Sequence, residues 1–98
     1  MRNLTNDLIR SGRIETTEAR AKEIRPLVEK FLTIAKKQNL AGRRLLLARL
    51  QNEKTVERLM DELAPRYASR TGGYLRILKS SKARKRDGSQ LAIIEFIQ

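Results

Sequence analysis

Apolar positions recur at helical spacing up to about residue 70, and beyond that point the period drops to two. Met1, Leu4 and Leu8 share one helical face, and Ser11-Gly12 closes that segment. Arg13-Ile14-Glu15 reads as a short extended link. Thr16 or Thr17 then offers an N-cap oxygen before a long stripe of Ile24, Leu27/Val28, Phe31 and Ala35. Glu18 in the first turn and Lys36-Lys37 in the last match the helix dipole. Pro26 falls inside the stripe and predicts a kink or a restart, because its ring removes one backbone hydrogen bond. Asn39 predicts the cap of a third helix, with Leu40, Leu47 and Leu50 along one stripe and Ala41, Leu45 and Ala48 along its neighbour. Gly42 weakens that helix by up to about 1 kcal/mol relative to Ala. Asn52 marks a turn, after which Val56, Leu59, Met60 and Leu63 give the face of a fourth helix, ended by Pro65.

From Tyr74 onward, Leu75 and Ile77 alternate with Tyr74, Arg76 and Leu78, and a second extended run spans Leu91 to Ile97. Asp87-Gly88 lies between them and predicts an antiparallel hairpin, with a long basic loop over 79–90. In the second run Leu91, Ile93 and Ile97 share a face on which only Glu95 is charged; Ala92, Ile94 and Phe96 line the other. Both faces are therefore apolar. One packs on the helices, and the other must meet a further helix or a partner. The fold class is α+β: two layers, with helices covering a short, mostly antiparallel sheet.

Length and charge narrow the function. The chain has 98 residues, enough for one domain with one modest core, and no interdomain linker or repeat divides it. It carries 22 Lys and Arg against 11 Asp and Glu, a net charge of +11, while its 40% hydrophobic content is enough to fold. Such a surface binds polyanions. Arg outnumbers Lys by 14 to 8, which suits bidentate phosphate contacts and base stacking. With no Cys and no His, there is no disulfide framework, no thiolate metal site, and no imidazole base or ligand. No apolar run approaches the ~20 residues that span a bilayer. Arg2 is followed by polar residues, unlike a secretory signal.

Catalytic signals are sparse. Glu57, Asp61 and Glu62 have the spacing of a solvated helix face. Thr71-Gly72-Gly73 lacks the Lys-Ser/Thr of a phosphate loop and precedes a strand, so it reads as a turn needing positive φ. No enzyme activity, cofactor, metal or small-molecule substrate is expected; a nuclease using Asp61 and Glu62 with Mg²⁺ is a distant alternative. Cationic clusters are the informative feature. Arg43-Arg44 lies near the start of the third helix. Residues 65–76 interleave Arg66, Arg70 and Arg76 with Tyr67, Tyr74 and Gly72-Gly73, a mixture able to stack on unpaired bases and bond phosphates. For the tyrosines, a core or sheet-face position is the competing reading. Lys79, Lys82, Arg84, Lys85 and Arg86 place five cations in eight residues on the hairpin loop, which should stay extended until a polyanion neutralises it. Without apolar anchors beside them, nucleic acid fits this loop better than a membrane. Arg13, Thr16, Thr17 and Lys22, around a helix start, form a second candidate anion site.

These residues resemble the L17 family of bacterial large-subunit ribosomal proteins. The similarity is carried by Gly12-Arg13-Ile14-Glu15-Thr16-Thr17, Arg20-Ala21-Lys22-Glu23 and Glu29-Lys30-Phe31-Leu32. It continues through Ala41-Gly42-Arg43-Arg44-Leu45, Leu63-Ala64-Pro65-Arg66-Tyr67 and the run from Arg70 to Lys79, and so covers essentially the whole chain. Family members usually begin with a basic extension rich in Arg and His; this chain starts after it, which accounts for the missing His. The resemblance implies an α-β-α-α-α-β-β fold and a non-catalytic structural role on large-subunit ribosomal RNA near the nascent-chain exit. Neighbouring ribosomal proteins, one of them on the apolar outer sheet face, would be its other partners. The implied setting is a cytoplasmic ribosome, an organellar one being the alternative. The competing function is a general nucleic-acid-binding or RNA-chaperone domain outside the ribosome.

Overall fold

The computed structural model describes residues 2–83 and 90–97. Its elements run α1 (Arg2–Ser11), β1 (Arg13–Thr17), α2 (Glu18–Lys36), α3 (Leu40–Leu50) and α4 (Glu53–Arg58). A π-helical turn (Leu59–Leu63), a short closing turn α5 (Ala64–Arg66), β2 (Leu75–Ala83) and β3 (Gln90–Phe96) follow. This is the expected α+β arrangement of helices on an antiparallel sheet.

Local chemistry starts α2, α3 and α4. Thr17 accepts a hydrogen bond from the Arg20 amide, Asn39 from the Gly42 amide and Asn52 from the Thr55 amide, in each case filling an otherwise orphaned donor of the first turn. Two helices are left through non-glycine residues at positive φ, Gln38 and Gln51. Gln38 has a tertiary hold there, since its side-chain amide donates to the carbonyls of Ala35 and Met60 at 3.1 and 2.8 Å.

Helix α2 runs unbroken through Pro26, so the anticipated restart does not occur. Pro26 and Lys22 both face solvent, where water can take the Lys22 carbonyl that loses its donor. Pro65 lies within the last turn of the fourth helix, and the coil ends one residue past it, at Arg66. An α-helical path would press the Pro65 ring on the Asp61 carbonyl. The π turn just before it, in which the Ala64 amide bonds the Leu59 carbonyl, widens the coil at that point.

The expected stripe on α3 is also corrected. Gly42, Leu46 and Leu50 are buried, while Leu40, Leu45 and Leu47 are 61%, 43% and 42% exposed. Gly42 decides the rotation: a Cβ there would stand 3.3 Å from the Ile34 side chain, so α3 lies close against α2 on its glycine side.

Strand β3 is central, paired antiparallel with β1 on one side and β2 on the other. The pairing sets Ile14, Ile94 and Ile77 in one row, and Ala92, Ile94 and Phe96 are buried beneath the helices. The core joins them to Leu8, Ile24, Val28, Leu32, Leu46, Leu59 and Leu63. On the opposite face a second row holds Arg13, Glu95 and Arg76, beside Glu15, Ile93 and Leu78. Leu78 is the exposed large apolar residue of that face. β2 extends to Ala83 with an irregular register between Lys79 and Ala83, so positions 79–83 of the expected loop are strand. Positions 84–89 lie outside the described residues.

Candidate nucleic-acid interface

Arginines from three separate elements line one polar cleft. Arg13 opens β1, Arg58 closes α4 and Arg66 closes α5; with Ser11, Gly12 and Glu95 they surround a volume of about 230 Å³. Gly12 turns the chain from α1 into β1 at φ 88°, and no atom lies within 4 Å of where its side chain would be, so the backbone there is open to a ligand.

The guanidiniums differ in how firmly they are held. Arg58 donates through Nε to the Ile9 carbonyl at 2.7 Å and through Nη1 to Glu62 at 2.6 Å, which fixes its plane. Glu95 is shared between Arg76, at 2.7 Å, and Arg13, at 3.8 Å, so its charge is largely taken up by Arg76. Arg66 is exposed and has no ion pair among the described residues. The cleft and its rim thus carry four arginines against two carboxylates, Glu62 and Glu95. A tetrahedral oxyanion with several acceptor oxygens complements such a set.

The aromatic candidates are placed elsewhere. Tyr67 and Tyr74 are 4% and 1% exposed. Tyr67 packs on Tyr74 and Phe96 at ring separations of 5.4 and 6.3 Å, and its hydroxyl donates to the Ile97 carbonyl. The Tyr74 hydroxyl accepts from Lys36 Nζ at 2.9 Å and donates to the Arg70 carbonyl at 3.2 Å. Lys36 Nζ also lies 5.0 Å from the Tyr74 ring centre and donates to the Arg70 carbonyl. Neither ring presents a face to a base, so the core position holds for both. Of the adjacent turn, Gly73 has the positive φ anticipated, at 64°, and Gly72 has open space around it.

The remaining cations are dispersed. Arg43 is half-buried with Nη1 3.9 Å from the Met60 sulfur, whereas Arg44 is exposed. Arg70 is exposed and donates to the Gly72 carbonyl at 3.3 Å. At the start of α2, Thr16 is buried, Thr17 is engaged as the cap, and Lys22 pairs with Glu18 at 2.9 Å. Arg13 lines the cleft instead. The second anion site is therefore not assembled. The hydrogen bond from Lys22, reinforced by the charges of Lys22 and Lys79, holds the Glu18 carboxyl below the usual carboxylate range. Lys79 is exposed, the side chain of Lys82 is not among those described, and Arg84, Lys85 and Arg86 lie outside the described residues. Arg58 was not among the sequence candidates. Its signal was the Arg58/Glu62 spacing of four, which reads as an ordinary helix-surface pair.

Fold and surface together define a small, strongly cationic α+β scaffold. Among the described residues no group of three or more Asp or Glu could hold a metal ion, and no helix is long and apolar enough to cross a membrane. The family model for ribosomal protein L17 matches residues 1–97, and the chain belongs to that family. Proteins named large ribosomal subunit protein bL17 are similar along nearly the whole chain. That of Thermoanaerobacter sp. (strain X514) is 50% identical over 97 residues, which cover 99% of this chain and 86% of the relative. That of Persephonella marina is 52% identical, covering 98% and 78%. The Clostridioides difficile protein is 50% identical, covering 99% and 85%.

Proposed function

We propose that this chain is a non-catalytic structural constituent of the large ribosomal subunit that binds ribosomal RNA. On this reading it works on ribosomes in the cytoplasm, docked near the nascent-chain exit beside other large-subunit proteins. The observation that carries the reading is the convergence of Arg13, Arg58 and Arg66 on one open cleft, in a domain of net charge +11. Arg58 is fixed before any ligand arrives, so binding a phosphate there costs little ordering of that side chain. Arg70, Arg43 and Arg44 add cations on other faces, and the basic segment through Arg84, Lys85 and Arg86 supplies a further contact. Recognition is of RNA shape and backbone, since the tyrosines that could have read bases are in the core.

Salt tests this. With ~6–10 phosphates neutralised, affinity for large-subunit ribosomal RNA should fall ~10³–10⁵-fold between about 50 and 200 mM salt. Arg13→Gln with Arg66→Gln should reduce the slope of log affinity against log salt by roughly one for each phosphate no longer neutralised. A flat titration of the unmodified chain defeats the reading. Equal affinity for duplex DNA would make it a general polyanion binder.

A further inference from the structure

Helix α3 is unusual in what it leaves outside. Of the four large apolar side chains exposed among the described residues, it contributes Leu40, Leu45 and Leu47. It contains three arginines and no acid. On the side facing α2, Leu45 closes a groove whose floor is Leu27, Phe31 and Ile34 and whose rims are Lys30 and Arg49. Its volume is about 150 Å³. An apolar cavity of that size takes up a benzene ring, so one Leu or Phe side chain fits. Neither rim cation has a carboxylate within ion-pair distance among the described residues, and the nearby Glu29 is already bound to Arg25 at 3.6 Å.

We propose that this groove receives an acidic, amphipathic segment of another protein, one apolar side chain entering it and flanking carboxylates meeting Lys30 and Arg49. The apolar floor argues for polypeptide over RNA, because a phosphate or ribose placed there would lose water and gain no hydrogen bond. The uncompensated rims argue for acidic flanks, and they disfavour symmetric pairing with a second copy of this chain, whose matching helix is cationic. Docking at this groove uses Lys30, Leu45 and Arg49, whereas the proposed RNA cleft is lined by Arg13, Arg58 and Arg66.

The test uses the full chain in living cells, with a photoreactive benzophenone side chain at Leu45 and, for comparison, at Leu78 on the outer sheet face. The Leu45 position should yield a nuclease-resistant, protease-sensitive adduct. Mapped by mass spectrometry, the captured peptide should hold an apolar residue with Asp or Glu within about four positions on either side. Lys30→Glu with Arg49→Glu should cut the Leu45 yield at least about tenfold. The same double variant should leave the yield from Leu78 and the circular dichroism spectrum unchanged, which separates lost docking from lost folding. An adduct to RNA, a captured peptide without carboxylates, no adduct, or a yield indifferent to the charge reversal overturns the proposal.

Discussion

Tyr74 shows how one residue's role is set by partners far away in the chain. Its ring is closed in by Tyr67 and its hydroxyl is held between Lys36 and the Arg70 carbonyl. Tyr74→Phe should therefore cost about 1 kcal/mol in urea unfolding, the usual net value of a buried hydrogen bond. Under conditions where the variant is fully folded, its RNA affinity should equal that of the unmodified chain; a several-fold loss in a filter-binding assay would put the hydroxyl on RNA. The sequence shows Tyr67 and Tyr74 among arginines and glycines, a neighbourhood equally consistent with base stacking and with packing. What decides between them is Phe96 and Ile97, brought in by strand pairing that no local pattern reveals. Arg58 escaped the sequence for the converse reason. Its pairing with Glu62 is local and legible, whereas its bond to the Ile9 carbonyl spans 49 residues.

Elements were legible where their determinants are local. Thr17, Asn39 and Asn52 announce helix starts because a cap acts within three residues, and the period-two pattern places β2 and β3. The face of α3 was not legible. With Leu at 40, 45, 46, 47 and 50 the apolar positions nearly encircle the helix, so periodicity selects no side. Gly42 selects it instead, by admitting α2. Gly42→Ala would ordinarily favour a helix by up to about 1 kcal/mol. Here the added methyl would stand 2.9 Å from Asn39 Oδ1, the capping atom, and 3.3 Å from both the side chain and the carbonyl of Ile34. Overpacking of that kind costs ~1–3 kcal/mol, so a net loss of about 1 kcal/mol is expected in chemical denaturation. A stabilised variant would show that α3 can move away from α2 without penalty.

Across the whole molecule, the excess of cations was plain from the sequence, but their gathering into a cleft was not. Arg13, Arg58 and Arg66 lie on β1, α4 and α5, and only the packing of α1 against α4 and the first strand brings them to one place. The basic segment after β2 belongs to the proposed interface at this scale as well, through its charge. Replacing Arg84, Lys85 and Arg86 by Ala should weaken binding by a similar factor across unrelated RNA sequences and lower the salt slope by up to roughly three. An unchanged slope would remove the segment from the interface. Finally, the strand order β1-β3-β2 carries a consequence for biosynthesis. The two outer strands are translated first and have no partner in each other, so a nascent polypeptide halted before residue 90 has its helices and no sheet to lay them on. Assembly of the sheet is thereby postponed until the middle strand emerges and pairs with both neighbours, and until then the apolar helix faces lack the layer that covers them.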